Sequence, residues 1–451
     1  MSDRTLGLRT FRSMDRGNPH WVIARHIVHR SLRGAAIWGL GFGIWVISTV
    51  KAFVSGYPTL TERMQLAQSL QAFSTLMGLP HRAETVAGFT AWRVLVVAVI
   101  IGAIWGLQTS TGLLRGEEEA GRWELLLAGQ TTKRWATLQA LIGFGASLTA
   151  MFVLTALFVF AAGSLPGAHF HVVGSLLFAL ALVSGAAMFL AVGTLASQLS
   201  ATRGQAATIA AVVLGAAYVV RMIADSRSSL GWLRWLSPIG WVEELRPLQN
   251  PQPVALAPIV GLVLVCGAVA VVLAGGRDLN ASVLREGNPG RGAAWSLIGP
   301  TSLAVRMSVP AGLAWLAGVA GMAAVYGSLA RSATGIMTSS PAITATLGRL
   351  GIRRATEGYL GVVFLMADVL ITVIAASQVA ALRDEEAAGR LDNLLVRPVS
   401  RARWLIGRLG VSLSLLVISG VASGFFTWLG MASQHTYHAQ RSLIEAGLNA
   451  T

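Results

Sequence analysis

The 451-residue chain is 54% hydrophobic and only 12% charged, with 35 basic residues against 20 acidic ones and a net charge of +15. Soluble domains carry about 25% charged residues, so this composition excludes an ordinary soluble protein and predicts a membrane protein. The basic excess does not indicate nucleic-acid binding, because the arginines largely flank apolar segments, where they set membrane topology. The single cysteine, Cys266, excludes an intrachain disulfide and a cysteine-based metal site.

The segment before the first apolar stretch projects as an amphipathic helix. Ile23, Ala24 and Ile27 lie on one arc, whereas Arg25 and Arg30 lie on the other. We predict that residues 1–33 form a cytoplasmic lead whose interfacial helix rests its apolar side in the acyl boundary. A helix packed on a protein partner is the alternative.

Nine apolar segments are long enough to cross a hydrocarbon core about 30 Å thick, which takes about 20 helical residues. The arginine-rich lead and most basic loops alternate so that they share one side, which predicts a cytoplasmic N-terminus, although the arginines at 349, 353 and 354 disagree. The lead lacks a cleavable signal pattern, so we expect the first span to be retained. The predicted spans are Gly34 to Val50, Val94 to Leu114, Ala136 to Phe160, Val172 to Leu195, Gln205 to Val220, Val254 to Leu273, Ala311 to Leu329, Gly358 to Leu382 and Leu405 to Leu429.

One acidic element occurs twice, as LRGEEEAGRWELLL after the second span and as LRDEEAAGRLDNLL after the eighth. Nine of the fourteen positions are identical at an offset of 382 − 114 = 268 residues. Each copy is too polar to cross the membrane, and its apolar residues and charged rim suit a docking helix better than a solvated connector. The predicted docking residues are Glu117, Glu118, Gly121, Arg122, Trp123, Glu124, Leu126, Leu127, Glu385, Glu386, Gly389, Arg390, Leu391, Asp392, Leu394 and Leu395.

The repeat also predicts the domain organisation. Repeat halves of transporters match in length, yet six spans precede the linker and only three follow it. We therefore expect about three further spans beyond Thr451, with the polar tail after the ninth span as an outer loop. The predicted domains are the lead (1–33), a first half (34–275, coupling helix 115–129), a cytoplasmic linker with a second interfacial helix (276–310) and an incomplete second half (311–451, coupling helix 383–397).

The E-E-x-x-G-R pattern followed by two leucines resembles the cytoplasmic coupling region of ABC-2 exporter permeases, in particular the fused twelve-span permeases of tetronasin or polyketide-antibiotic exporters. The segment LSPIGWVEELRP resembles the outer motif of that family. The resemblance implies an all-α fold with two pseudo-symmetric six-helix halves of the type V exporter kind. It also implies efflux of hydrophobic or amphipathic compounds, antibiotics among them, by alternating access across the bacterial plasma membrane. Two copies of a separate ATP-binding subunit, which carries ATP and Mg, would grip the two coupling helices. Asn393, where the first copy has Leu125, departs from the pattern.

The chain has no ATP site of its own by sequence, because neither Lys51 nor Lys133 ends the Gly-rich turn of a phosphate-binding loop. We find no catalytic or metal-binding pattern either, so we predict a transport subunit rather than an enzyme, without a bound cofactor. The alternative is an ion-coupled 6+6 secondary transporter, which needs carboxylates within the membrane.

Two further features concern the transport path. Asp368 is the one carboxylate deep in a predicted span, where it would either line a substrate cavity or be a neutralised structural group. Arg93 lies about 10 Å nearer the outside, too far for direct pairing. After the fifth span, Pro238 breaks a tryptophan-rich segment that predicts interfacial or re-entrant helices, either as an outer gate or as an aromatic belt. The candidate gate residues are Trp232, Trp235, Pro238 and Trp241.

Overall fold

A computed structural model describes residues 21–71, 74–127, 131–226, 228–276, 299–339, 354–387, 400–434 and 440–449, together with positions 389, 391 and 396. Within these ranges all regular structure is helical, and nine helices are long and apolar enough to cross a membrane. This confirms the predicted all-α polytopic membrane fold. Most of the predicted lead and linker, at 1–20 and 277–298, lies outside the described residues.

The chain divides into two compact units, Met1–Glu286 and Gly287–Thr451. The first unit contains α1 (Val22–Gly56), α2 (Leu60–Leu70), α3 (Ser74–Met77), α4 (Val86–Thr111), a π-helical turn (Gly112–Gly116), α5 (Glu117–Glu119), α6 (Arg122–Leu127), α7 (Lys133–Gly163), α8 (Val172–Leu199), α9 (Arg203–Ser226), a 3-10 helix (Ser228–Leu236), α10 (Pro238–Glu244), a 3-10 turn (Pro253–Ala255) and α11 (Leu256–Gly276). The second unit contains α12 (Pro300–Ser339), α13 (Ala355–Ala387), α14 (Arg401–Ser433) and α15 (Gln440–Leu448).

The core of the first unit is the packing of α4 against α8. Gly102 and Gly106 form a small-residue face on α4, and a methyl group at Gly106 would lie only 2.6 Å from the carbonyl oxygen of Ala186. Small residues at this spacing let two helices approach closely in lipid, where dispersion contacts drive association. Gly102 and Gly106 therefore serve the packing of α4 against α8.

Helix α1 runs without a break for 35 residues from Val22 to Gly56, so the predicted interfacial segment continues directly into the first span. Its buried apolar residues pack on α7 of the same chain, while contact of this segment with the lipid surface stays a prediction. The side-chain oxygen of Gln139 accepts hydrogen bonds from the backbone N–H groups of Ile23 and Ala24, at 3.2 and 3.3 Å. These are orphan donors of the first helical turn, so Gln139 fixes the start of α1 against α7.

The offset of 268 residues also relates structural features of the two units. Helix α7 begins at Lys133 and α14 at Arg401, and 401 − 133 = 268. Thr132 and Ser400 precede them as N-caps whose side chains accept the backbone N–H three residues later. Such caps satisfy first-turn donors and set where a helix starts.

The tail after the ninth span also differs from a plain outer loop. Residues Gln440–Leu448 form α15, which lies back along α14. A methyl group at Gly447 would lie 2.7 Å from the hydroxyl of Ser423, so the helices approach through small residues. The two histidines of the tail, His435 and His438, are outside the described residues.

Candidate functional site

The first acidic element folds across one end of the helices, called the repeat end below. Helix α4 passes into the π-helical turn and then α5, and the chain reverses at Gly121, whose φ is +71°. Only glycine adopts this left-handed backbone without strain. In the second copy Gly389 has a φ of +67°. The repeated glycine therefore serves the same backbone turn in both copies.

Glu117 is the charged centre of the first element. Its side chain is 3% exposed, and its carboxylate lies 3.0 Å from His26 Nε2 and within 4 Å of the guanidinium groups of Arg30 and Arg122. A buried carboxylate is costly unless cations and hydrogen bonds compensate it. Glu117 therefore ties the element to the first turns of α1.

The next two glutamates attach the element to other helices. Glu118 pairs with the buried Arg115 at 3.1 Å, and Arg115 Nε donates to the carbonyl oxygen of Ala201 at 2.8 Å. The Glu119 carboxylate accepts the backbone N–H of Arg203 at the start of α9. A carboxylate at a helix N-terminus satisfies an orphan donor and complements the helix dipole. The three glutamates thus link the element to α1, to the end of α4 and to α9.

Trp123 is a core residue and not part of an exposed footprint. Its ring is 7% exposed, and its Nε1 donates to the carbonyl oxygen of Leu113 at 3.2 Å. It packs with apolar residues of three helices, because the apolar side of α1 reaches this end. The buried cluster comprises Ile23, Ile27, Leu114, Trp123, Ala136, Ala140, Phe144 and Leu190.

Among the described side chains of the first element, most of the exposed ones are charged. Glu119, Arg122 and Glu124 are exposed, whereas Glu117 and Glu118 are buried. The side chains of Leu126 and Leu127 lie outside the described residues. A partner that approaches this surface would first meet charged groups.

In the second acidic element the acid equivalent to Glu117 is again buried, but its partner is a different cation. Glu385 is 6% exposed and pairs with Arg408 of α14, whose Nε donates to its carboxylate at 3.1 Å. Arg408 Nη1 also donates to the hydroxyl of Ser308 on α12 at 3.2 Å. Leu391 is buried at the position that corresponds to Trp123, and Glu386 is exposed. The predicted residues Arg390, Asp392, Leu394 and Leu395 are outside the described residues.

At the opposite end of the first unit, the tryptophan-rich segment forms a 3-10 helix followed by α10. Pro238 occupies the first turn of α10, where its missing N–H costs nothing. Trp232 and Trp235 are exposed, and Trp241 Nε1 donates to the carbonyl oxygen of Trp235 at 2.6 Å. This geometry agrees with the predicted pair of short helices, while the gating role stays a prediction.

Beside α10 lies a buried cluster of charges that the sequence reasoning missed. Arg221 pairs with Asp225 at 3.2 Å and with Glu243 at 3.5 Å. Arg234 pairs with Asp225 at 2.6 Å and with Glu244 at 3.0 Å. The signal that would have revealed it is the spacing of Arg221 and Asp225, four residues apart on one helix face at the end of an apolar span.

Burial shifts the pKa values of two groups in and beside this cluster. Desolvation raises the pKa of Glu243 to about 8, although Arg221 opposes the shift. The adjoining His81 has a lowered pKa because it is buried and faces Arg246 and Arg234. The cavity here is about 50 Å³, a volume for water and not for a drug.

Asp368 and Arg93 lie in different units. Asp368 is half-buried on α13, and its Oδ1 has no hydrogen-bond partner within the described part of the chain. Arg93 is exposed on α4. The cavity role of Asp368 stays a prediction.

Comparison with known proteins places both units in one family. A family model described as "Multidrug efflux system permease Rv1217c, C-terminal domain" matches residues 27–276 and 297–450, one segment in each unit. The multidrug efflux system permease protein Rv1217c of Mycobacterium tuberculosis (strain ATCC 25618 / H37Rv) is 30% identical over 378 residues, which cover 82% of this chain and 67% of the relative.

Proposed function

The chain belongs to the multidrug efflux system permease family, and on that premise we propose that it is the membrane subunit of an ATP-driven exporter of the ABC-2, tetronasin-exporter type. A separate ATP-binding subunit, with its ATP and Mg, would dock on the two acidic elements, with two copies for one permease. The cargo would be hydrophobic or amphipathic compounds, antibiotics among them, moved outward across the bacterial plasma membrane. The N-terminus and the repeat end would then be cytoplasmic.

The matched anchoring of the two acidic elements carries this proposal. Glu117 and Glu385, 268 residues apart, are both buried acids in ion pairs with membrane helices. Each of them is followed within four residues by an exposed acidic residue, Glu119 or Glu386, and by a glycine turn. A connector that only capped the bundle would not need the same buried anchor twice. An element that must pass force from a soluble partner to membrane helices does need such an anchor, because an element without rigid links would move alone.

The proposed mechanism follows from these links. ATP binding would close the partner's dimer and shift both elements. Glu117 would pass the shift to α1 and Glu119 would pass it to α9. In the second unit, Glu385 and Arg408 would pass it to α14 and, through Ser308, to α12. The membrane helices would then switch between inward-open and outward-open states as rigid bodies.

The opposite end supports the outward half of this cycle. The small cavity beside Glu243 leaves no room for cargo, so export would require the 3-10 helix and α10 to move. Trp232, Trp235, Pro238 and Trp241 belong to that moving part. Asp368 would contact a polar or cationic group of the cargo, since its Oδ1 has no partner among the described residues.

The docking proposal is tested by reversing exposed charges on the elements. Glu124→Arg and Glu386→Arg, singly and together, should weaken co-purification of the ATP-binding subunit and lower its ATP turnover in the complex. A suitable control is Glu357→Arg, because Glu357 is also an exposed glutamate of α13 but lies 29 residues (386 − 357) from Glu386, about 44 Å along the helix.

The control should leave assembly unchanged. If Glu124→Arg with Glu386→Arg also assembles and turns over ATP normally, the elements are not the docking surface. A proton gradient that drives drug flux without the ATP-binding subunit would favour the ion-coupled alternative.

A further inference from the structure

A polar cavity of about 590 Å³ opens at the repeat end of the first unit, and the acidic element forms one of its walls through Glu119 and Arg122. Its walls come from α1, the end of α4 with the π-helical turn, the acidic element and the start of α9. Segments of π-helix are uncommon and are frequent at functional sites. The side chains used below are Arg30, Arg33, Gln108, Glu119, Arg122 and Arg203.

The cavity carries an excess of positive charge. Four arginines line it against the two glutamates Glu117 and Glu119. Glu117 is already compensated by Arg30 and Arg122, as well as by His26. The guanidinium groups of Arg33 and Arg203 form no ion pair with the described residues. These two groups are therefore available to a ligand with negative charge.

The backbone positions Arg203 over the cavity. A methyl group at Gly116 would lie 2.9 Å from Arg203 Cδ, and one at Gly112 would lie 3.6 Å from Nη2. The two glycines of the π-helical turn therefore make room for this side chain against the turn. The site is built by the fold and does not consist of surface arginines alone.

An apolar strip continues from the cavity along the same helix faces. Ile37 lies one turn beyond Arg33 on α1 and is 66% exposed, and Ile104 lies one turn before Gln108 on α4 and is 47% exposed. Residues four apart share a helix face. A ligand with an anionic head and an apolar tail fits this order of polar and apolar side chains. A soluble protein segment or a free anion would not use the apolar strip.

We propose that this cavity binds the phosphate of an anionic phospholipid headgroup, with Arg33 and Arg203 as its ligands and the acyl chain along Ile37 and Ile104. Basic pockets between membrane helices at the cytoplasmic surface suit such headgroups. Arginine is the favoured partner because its planar group donates two hydrogen bonds to phosphate. A bound lipid would link α1 to α9 beside the acidic element. The proposal does not depend on the source of energy for transport.

The test uses the full-length permease purified in a non-ionic detergent. Dioleoyl phosphatidylglycerol is titrated against dioleoyl phosphatidylcholine, and bound lipid is counted by native mass spectrometry. Arg33→Gln and Arg203→Gln should each weaken phosphatidylglycerol binding by about tenfold, the effect of one lost charged hydrogen bond. Arg25→Gln is the matched control, because it removes an exposed arginine of α1 that does not line the cavity.

A second pair of measurements identifies the ligand. Ile104→Ser should weaken phosphatidylglycerol binding, and inorganic phosphate should bind far more weakly than the lipid. Equal loss with Arg25→Gln would mean diffuse attraction and would overturn the proposal. Inorganic phosphate that binds as tightly as the lipid would also overturn it. The proposal would also be overturned if the Arg33→Gln and Arg203→Gln variants lost the ATP-binding subunit but still bound the lipid normally.

Discussion

The two acidic elements have the same buried acid but different cations around it. Glu117 is surrounded by His26, Arg30 and Arg122, which are all partly exposed, with side-chain exposures of 35%, 55% and 55%. Glu385 pairs with the buried Arg408. The position equivalent to Arg408 in the first copy is 408 − 268 = 140, which is an alanine, Ala140. The repeated feature is therefore the burial of a carboxylate, and each half compensates it from a different helix.

This difference predicts unequal dependence on single residues. We expect the largest effect for Arg408→Ala, which leaves Glu385 buried without its charge partner and should cost about 3–5 kcal/mol. Thermal unfolding of the purified permease, followed by tryptophan fluorescence, measures the loss. The double variant Glu385→Gln with Arg408→Gln should recover much of it, since neither charge remains. A full-sized loss in the double variant would contradict the ion-pair explanation.

The buried apolar residue of each element, Trp123 or Leu391, should contribute more stability in the first element than in the second. Trp123→Ala removes a buried ring that packs with Ile23 and Ile27, and it should cost about 3 kcal/mol. Leu391→Ala removes a smaller side chain at the equivalent position and should cost less. The same unfolding measurement compares them. A larger loss for Leu391→Ala would mean that the second element, and not the first, has the tighter core.

Glu117→Gln should have a smaller effect than the loss of Arg408. Its three cations remain partly solvated when the acid is neutralised, so solvent screens much of the change and we expect about 1 kcal/mol. Unfolding of Glu117→Gln and Glu385→Gln under identical conditions gives the comparison. Equal or greater destabilisation by Glu117→Gln would remove the distinction drawn between the two anchors.

The charged cluster at the opposite end provides a third comparison, because burial there favours a neutral carboxyl. The pKa of Glu243 is raised to about 8 from 4.5. A raised acid pKa gives stability that is complete below the unfolded value and is lost as the pH rises through the folded one. The melting temperature should therefore decrease as the pH is raised from about 5 to about 8. The charged groups that face Glu243 are Arg221, Asp225, Arg234 and Glu244.

The control for this effect is Glu243→Gln, which keeps the shape and removes the titration. Its melting temperature should change less than that of the wild type over the same range. This is the smallest expected effect, because several other groups titrate in the same molecule. Parallel curves for the two proteins would contradict a neutral Glu243.

The sequence was sufficient to predict the spans and the repeat, because both depend on local pattern. Apolar runs of sufficient length predict helices wherever lipid surrounds them. The E-E-x-x-G-R pattern located both acidic elements, but it did not predict the backbone turns at Gly121 and Gly389, because each element was interpreted as one continuous helix. The capping box formed by Thr59 and Glu62 is a similar local signal that could have predicted the start of the short helix α2.

Local sequence patterns could not predict which residues from distant parts of the chain would pack together. Trp123 has the sequence of an exposed footprint, yet the apolar side of α1 covers it. By periodicity, the amphipathic start of α1 fits a lipid surface as well as a protein surface. Its contact with Gln139 of α7, 116 residues away in the sequence, is not visible in that pattern. The cluster around Glu243 joins residues of α9, the 3-10 helix and α10, whose contact no single window of sequence contains.

The most direct test of ATP-driven efflux is drug transport in proteoliposomes that contain the permease with its ATP-binding subunit. We expect ATP to drive transport of a hydrophobic drug, and we expect Glu117→Gln with Glu385→Gln to lower transport while the subunits still co-purify. Neutralising both buried anchors removes the links to α1 and α14 but leaves the exposed docking charges in place. Transport that persists without ATP or the partner, driven by a proton gradient alone, would contradict ATP-driven efflux by this permease.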